Sequence, residues 1–212
     1  MLNNSIRPTI GIIGAGRLGT AIARQTLKAG YTVRIANSRG PDSLGLMLGV
    51  LLPGALASSV DETITHSEVI ILAIPLNQYV TLQPALFNGK VVIDAMNYWP
   101  PTEGEIPEFM EEGVTSSEYI QRYLSGAKVI KTLNHTAYHE LEQHSLPEGS
   151  ADRRAVALVG NDVAAKQVVE KIISDIGFDP VDLGELAHGH KFQPDTPLFN
   201  ARYSADDLKN SR

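Results

Sequence analysis

The chain has 212 residues, 43% of them apolar and 20% charged, the balance of a globular protein that can bury a sizeable core. Its net charge of −6 argues against a general nucleic-acid or acidic-membrane surface. It contains no cysteine, which excludes disulfides, thiol catalysis and cysteine-bound zinc or iron–sulfur clusters.

The N-terminal MLNNSIRPTIGIIGAG lacks a charged segment followed by an apolar one, so no secretory signal is expected. TIGII (Thr9 to Ile13) reads as a strand running straight into GAGRLG. TAIARQTLKAG has helical spacing and a good stop at Gly30. TVRIA is the second strand. Ser43 to Leu52 reads as a short helix capped by Asp42 or Ser43. Leu44 to Ala57 is the longest stretch of low polarity, but Gly and Pro interrupt it, and it falls short of the ~20 residues of a membrane span. Ala55 to Ser58 is a short third strand, and VDETITHSE a short polar helix. VIILAI (Val69 to Ile74) is a continuous apolar run, as in a strand buried on both faces. Pro75 to Phe87 is expected to be a helix, and KVVIDA (Lys90 to Ala95) the fifth strand.

Asn97 to Gly113, NYWPPTEGEIPEFMEEG, is the one long irregular stretch, either functional or a disordered linker. Beyond it the alternation resumes. Ser116 to Leu124 is helix, KVIKTL strand, Thr136 to His144 helix and Ala155 to Val159 strand. NDVAAKQVVEKIISDIG is an amphipathic helix capped by Asn161 or Asp162 and stopped by Gly177, and DPVDL is a last short strand. The terminal SADDLKNSR is polar and expected to fray. Strand–helix alternation throughout predicts an α/β fold, a doubly wound, mostly parallel sheet with helices on both faces. Residues 1–115 would form a dinucleotide-binding core of Rossmann type. Residues 116–212 would form a smaller α/β segment that extends the sheet and completes the substrate crevice.

Gly14, Gly16 and Gly19 spell G-x-G-x-x-G in the context that gives this pattern meaning, after a strand and opening a helix. The first glycine permits the tight turn, the second lets backbone approach a pyrophosphate, and the third packs helix on strand. Amides at the helix start then favour the phosphates. Gly14, Gly16, Arg17, Leu18 and Gly19 are assigned to cofactor binding; Arg17 either reaches a phosphate or points to water. Past the second strand an NAD-binding domain usually places an acid on the adenine ribose. Here stand Asn37, Ser38 and Arg39, with no acid until Asp42. An acid would repel the 2′-phosphate of NADP, whereas Asn37 and Ser38 can donate hydrogen bonds and Arg39 can clamp a phosphate through its fork of donors. NADP is therefore the expected cofactor.

The fingerprint, ANSRGP, VIILAIPL, VIDAMN, KVIKTLN and ALVGNDVAAKQVVEKIISDIGFDPVDLGEL occur in an order that resembles one family. It is the NADP-dependent reductases of the deazaflavin coenzyme F-420 and the wider group of dinucleotide-binding oxidoreductases. The oxidoreductase domain of six-transmembrane metalloreductases is similar. The resemblance runs from about Thr9 to Asn200. It implies hydride transfer between NADP(H) and a flavin-like ring, coenzyme F-420 or a flavin, stacked on the nicotinamide. It places Ser38 and Arg39 on the 2′-phosphate, Ala73, Ile74 and Pro75 along the cofactor, and Asn97 and Asn134 near the nicotinamide. With the apolar C-terminal segment it also suggests a homodimer, and the lack of a signal or membrane span in the sequence gives a soluble, cytoplasmic protein as the expectation. NYWPP and His135 depart from the family pattern, where a second substrate would bind.

Such a transfer needs proximity and orientation more than an acid or base. The strand ends AIPLN, DAMNYW and TLNHT should converge on one crevice. Asn97 and His135 are the candidate catalytic residues, with His135 a proton donor if the acceptor is a carbonyl. His135 is equally readable as a plain polar residue at a helix start. His135, His139 and His144 offer no third ligand at metal spacing, so no metal site is assigned. Tyr98 and Trp99 either close over an acceptor ring, anchor the long loop or meet a second copy. Two rival functions remain, a non-catalytic NADP-binding module and a dehydrogenase of small carbonyl compounds.

Overall fold

The computed structural model describes residues 7–210. The absence of a secretory signal and the fraying of the C-terminus are expectations that fall in part on residues 1–6 and 211–212, outside the described residues. Eight strands form one sheet: β1 Ile10–Ile13, β2 Val33–Ala36, β3 Leu56–Ala57, β4 Val69–Leu72, β5 Val91–Asp94, β6 Lys128–Thr132, β7 Ala155–Gly160 and β8 Asp179–Asp182. The helices are α1 Arg17–Lys28, α2 Gly45–Leu51, α3 Val60–Thr65, α4 Pro100–Glu103, α5 Ser116–Tyr123, α6 Tyr138–Gln143, α7 Val163–Asp175 and α8 Ala205–Asn210. Strand order is β3-β2-β1-β4-β5-β6-β7-β8. Every pairing is parallel except β6 with β7. This is the Rossmann-type fold that the alternation predicts, with one reversal.

Period-two alternation assigns each strand residue to a layer. Val69 and Ile71 of β4 join Ile10, Ile12 and Ile93 beneath Ile22 of α1 and Val169, Ile172 and Ile173 of α7. Ile70 and Leu72 join Val92, Val129 and Val159 beneath Ile64 of α3, Ile120 of α5, Phe87 and Phe192. Both faces of β4 are covered, hence its unbroken apolar run. No helix among the described residues is long and apolar enough to cross a membrane.

Local chemistry sets the helix ends. Asp162 accepts from the Ala165 N–H at 2.8 Å, capping α7 as expected. Ser59 with Glu62, and Thr115 with Glu118, form capping boxes at α3 and α5. The Ser59 hydrogen bonds hold the Glu62 carboxyl below its ordinary range.

Three expectations change. Pro75 to Phe87 is not one helix but two 3-10 segments, Leu76–Thr81 and Pro84–Phe87. Pro84 has no N–H to continue a ladder and drives Gln83 to extended backbone, φ −89° and ψ 103°. Second, neither Asp42 nor Ser43 caps α2, because a 3-10 turn at Pro41–Leu44 precedes it. The Ser43 hydroxyl instead donates to the Gly40 carbonyl at 2.8 Å. Third, residues 97–113 are ordered around α4 and a 3-10 turn at Pro107–Phe109. Phe109 is the hub of this segment, with the rings of Tyr79, Tyr98 and Tyr119 at 5.6, 5.4 and 5.7 Å.

Replacing Phe109 by Ala should cost about 3 kcal/mol in a denaturant titration, the usual loss for a buried aromatic ring. It should also move the first cut of limited proteolysis into residues 97–113. Unchanged protease resistance would show that other contacts hold the segment.

Candidate active site at the strand ends

Chain connections leave β1 and β4 in opposite directions along the sheet, and a crevice opens between them. Its lip is the glycine turn. Gly14 has φ +113°, and a Cβ there would lie 2.2 Å from the Ala73 carbonyl oxygen. A Cβ on Gly19 would lie 1.9 Å from the Gly14 oxygen. These two glycines let β1, β4 and α1 touch. Gly16 differs, because it is exposed and a Cβ there would meet nothing within 4 Å. Its backbone faces open space at the N-terminus of α1, the cradle that a pyrophosphate requires.

Beyond the turn lies a cavity of about 300 Å³. Leu18, Ala73, Ile74, Pro75 and Asn97 line it, together with Met96, Trp99, Thr102 and Glu103. Five residues expected from sequence thus meet in one space. Thr102 and Glu103 were not anticipated. Glu103 accepts from the backbone N–H of Trp99 at 2.9 Å and of Asn77 at 3.1 Å, tying the two walls together.

Asn97 and Asn134 form a reciprocal pair. Asn97 Nδ2 donates to the Asn134 carbonyl at 2.9 Å, and Asn134 Nδ2 donates to Asn97 Oδ1 at 3.0 Å and to the Phe192 carbonyl at 3.0 Å. Asn134 is buried, so it reaches the cavity only through Asn97.

Beneath this pair lies a buried ion pair that sequence reading passed over. Asp94 and Lys131 are direct cross-strand partners, both fully buried, with Lys131 Nζ 3.4 Å from Asp94 Oδ2. Lys131 Nζ also donates to the Met96 carbonyl. Asp94 accepts from the Met96 N–H at 2.9 Å and from the Ser117 hydroxyl at 2.7 Å. The Met96 peptide is therefore gripped from both sides, one residue before Asn97. Burial pulls the Lys131 ammonium below its ordinary value, and the Asp94 charge opposes that shift. A lysine inside the apolar strand KVIKTL was the available signal, since a buried cation demands a partner.

His135 is not on the crevice. Its ring is 4% exposed, packs on Phe192 at 4.9 Å, and accepts the Ala157 N–H on Nε2 at 3.1 Å. Burial, with Arg154 and then Lys131 repelling a proton, pushes its pKa down to about 3. Leu133, at φ +63°, turns the chain inward just before it. His139 is exposed and His144 accepts from Arg202, so the histidines do not converge.

Past β2, Asn37 organises the turn. Its Oδ1 accepts the Arg39 N–H and its Nδ2 donates to the Ser43 hydroxyl, both at 2.9 Å. Ser38 and Arg39 stand exposed at the tip, and among the described residues Arg39 makes no ion pair. Arg17 is exposed and leans over the Tyr138 ring, 5.7 Å from its centroid.

The fold and this crevice define a dinucleotide-binding protein of the Rossmann class. Residues 9–98 match the model of the family described as NADP oxidoreductase, coenzyme F420-dependent. That match spans the glycine turn, the tip at Ser38 and Arg39, and the strand ends that border the cavity. The crystal structure of hypothetical protein SMa0349 from Sinorhizobium meliloti is similar at 31% identity and a TM-score of 0.77, over 92% of this chain and 94% of that one. A protein from Arthrobacter sp. FB24 assigned as an F420-dependent NADP-reductase is 25% identical with a TM-score of 0.71, over 84% and 85% of the two chains. Metalloreductase STEAP3 of Rattus norvegicus is 26% identical over 88% of this chain. The chain spans only 36% of that metalloreductase, and less than half the length of the other curated relatives it matches.

Two predictions follow from the buried groups. Lys131→Met strands the Asp94 charge and should destabilise the fold by about 3–5 kcal/mol, while Lys131→Met with Asp94→Asn should recover most of the loss in a denaturant titration. A double variant no better than the single one would overturn that account. Folded His135 resists protonation, whereas the unfolded ring titrates near its ordinary 6.5. Stability is then complete above that value and declines as pH falls toward 3, by up to ~1.4 kcal/mol per pH unit from this group. His135→Gln keeps an acceptor for Ala157 and should flatten the decline between about pH 6.5 and 4. Equal slopes in calorimetric scans would rule this out.

Proposed function

We propose that the protein transfers a hydride between NADP(H) and a flavin-like ring acceptor. The observation that carries this reading is the juxtaposition of an open glycine cradle with a largely apolar cavity at the ends of β4 and β5. Residues 1–115 would bind the cofactor and 116–212 complete the crevice. When bound, NADPH supplies a hydride from its nicotinamide. The chain's own work is positioning. Gly14, Gly16 and Gly19 admit the pyrophosphate, with Arg17 beside them. Ala73, Ile74 and Pro75 supply the dry wall that orients a ring, and water is excluded as the ring fills the space. Asn97, fixed by Asn134, presents an oriented carboxamide at the cavity edge.

His135 takes a supporting part in this proposal. A ring that accepts a backbone N–H inside the core has no proton to give at the cavity, so it holds the 133–135 turn against β7. The carbonyl-dehydrogenase alternative loses its acid. The homodimer expected from the resemblance belongs to the same proposal, and light scattering tests it.

Selectivity for NADP rests on Ser38 and Arg39 in this proposal. Asn37 spends its amide on Ser43, so its part is to shape the turn. A guanidinium–phosphate contact is a charge-assisted one, worth ~1.5–3 kcal/mol, or roughly 10–100-fold in affinity. Arg39→Glu should weaken NADP by about that factor while changing NAD little, in paired calorimetric titrations. Equal weakening of both would count against the assignment. NADPH oxidation with deazaflavin, flavin and quinone acceptors tests the activity itself, and tight binding without turnover would mark a non-catalytic module.

A further inference from the structure

Asn97 borders a second, smaller pocket on its far side. That pocket has a volume of about 140 Å³ and is walled by Tyr98, Phe109, Ser116, Gln193 and Asp195. Its polar groups are unspent. Among the described residues the Ser116 hydroxyl, the Gln193 amide and the Asp195 carboxylate make no hydrogen bond within the protein, although Ser116 is only 7% exposed. The Tyr98 hydroxyl, by contrast, donates to the Gly104 carbonyl and accepts the Ile106 N–H. A hydroxyl, an amide and a carboxylate with no partner in the protein, gathered around one pocket, can all be met by a hydrogen-bonding guest.

The charge around the pocket narrows the guest. Part of its wall, Tyr98 and Phe109, belongs to residues 97–113, which carry Glu103, Glu105, Glu108, Glu111 and Glu112 and no Lys or Arg. Asp195 adds a carboxylate from the opposite side. The cations nearest in sequence are Lys191, and Arg122, which lies 3.9 Å from Glu111. Asp195 is the one charged residue of the wall, and a carboxylate there disfavours a guest ending in phosphate and suits one bearing hydroxyl or amine donors.

We propose that this pocket holds the side chain of the hydride acceptor and selects an uncharged ring acceptor with hydroxyl or amine donors over one ending in phosphate. The inference rests on the oxidoreductase reading above and names its substrate class. Asn97 sits on the border of both cavities, so it touches the nicotinamide side and the acceptor side at once.

Trp99 is the only tryptophan and lines the neighbouring cavity, so its emission reports a flavin docking beside it. The test is titration of riboflavin and of FMN into protein saturated with NADP⁺, followed by quenching of Trp99. Riboflavin should bind at least about tenfold more tightly than FMN at low ionic strength, with the gap closing in about 0.5 M salt. Asp195→Asn should improve FMN several-fold with little change for riboflavin. Asn suits the left-handed backbone there, φ +66°, so the variant should fold. FMN binding as tightly as riboflavin, or an unchanged ratio in Asp195→Asn, would overturn the subsite alone, whereas no quenching by either would count against the flavin-like acceptor and the subsite together. If calorimetry finds no NADP⁺ binding to the wild type, the parent reading falls and the subsite with it.

Discussion

The end of β1 touches the end of β4, and the contact leaves no room for a side chain. Gly14 lies so near the Ala73 carbonyl that even a methyl group would overlap it. This closeness brings the start of α1, the wall Ile74–Pro75 and the tip of β5 within reach of one bound molecule. Every functional feature here is placed relative to that contact. Gly14 and Gly19 thus answer a packing requirement, and Gly16 alone faces the open space that packing leaves.

The crevice combines a rigid floor with a separately fastened wall. Under the floor, Asp94, Lys131, Ser117 and the Met96 peptide form a closed polar network in a dry interior. Charges buried there are costly to disturb, so the strand tips keep one geometry. The wall of residues 97–113 rests on aromatic edges around Phe109 and on the two hydrogen bonds of Glu103. Fewer buried contacts fasten it, and local opening begins where such contacts are fewest. The crevice thus has one stiff side and one softer side.

The Rossmann core was legible because its demands are local. Continuous apolar runs for strands buried on both faces, glycines where backbone must approach backbone, and an aspartate cap on α7 are each visible in a few neighbouring residues. The long-range features were not. Asp94 and Lys131 meet only through the β5–β6 register. Their types sit oddly in apolar strands, but oddness does not name a partner. His135 was expected in the crevice because it follows a strand tip, and the positive φ of Leu133, which sends it inward, has no sequence signature outside Gly, Asn and Asp. The reversal of β7 was hidden for a related reason, since an apolar run reads alike in either direction. Pro84 was the local clue to the broken segment after β4, and it was outweighed by the length of the run.

The order of strands has a last consequence at the margins of the sheet. One margin is β3, a mere Leu56–Ala57. The other is β8, whose sequence is Asp179, Pro180, Val181 and Asp182. A proline donates nothing to a passing chain, and the flanking carboxylates, held by Arg153 and Lys166, keep the strand short and polar at both ends. Neither border offers a long open template on which a further strand could grow.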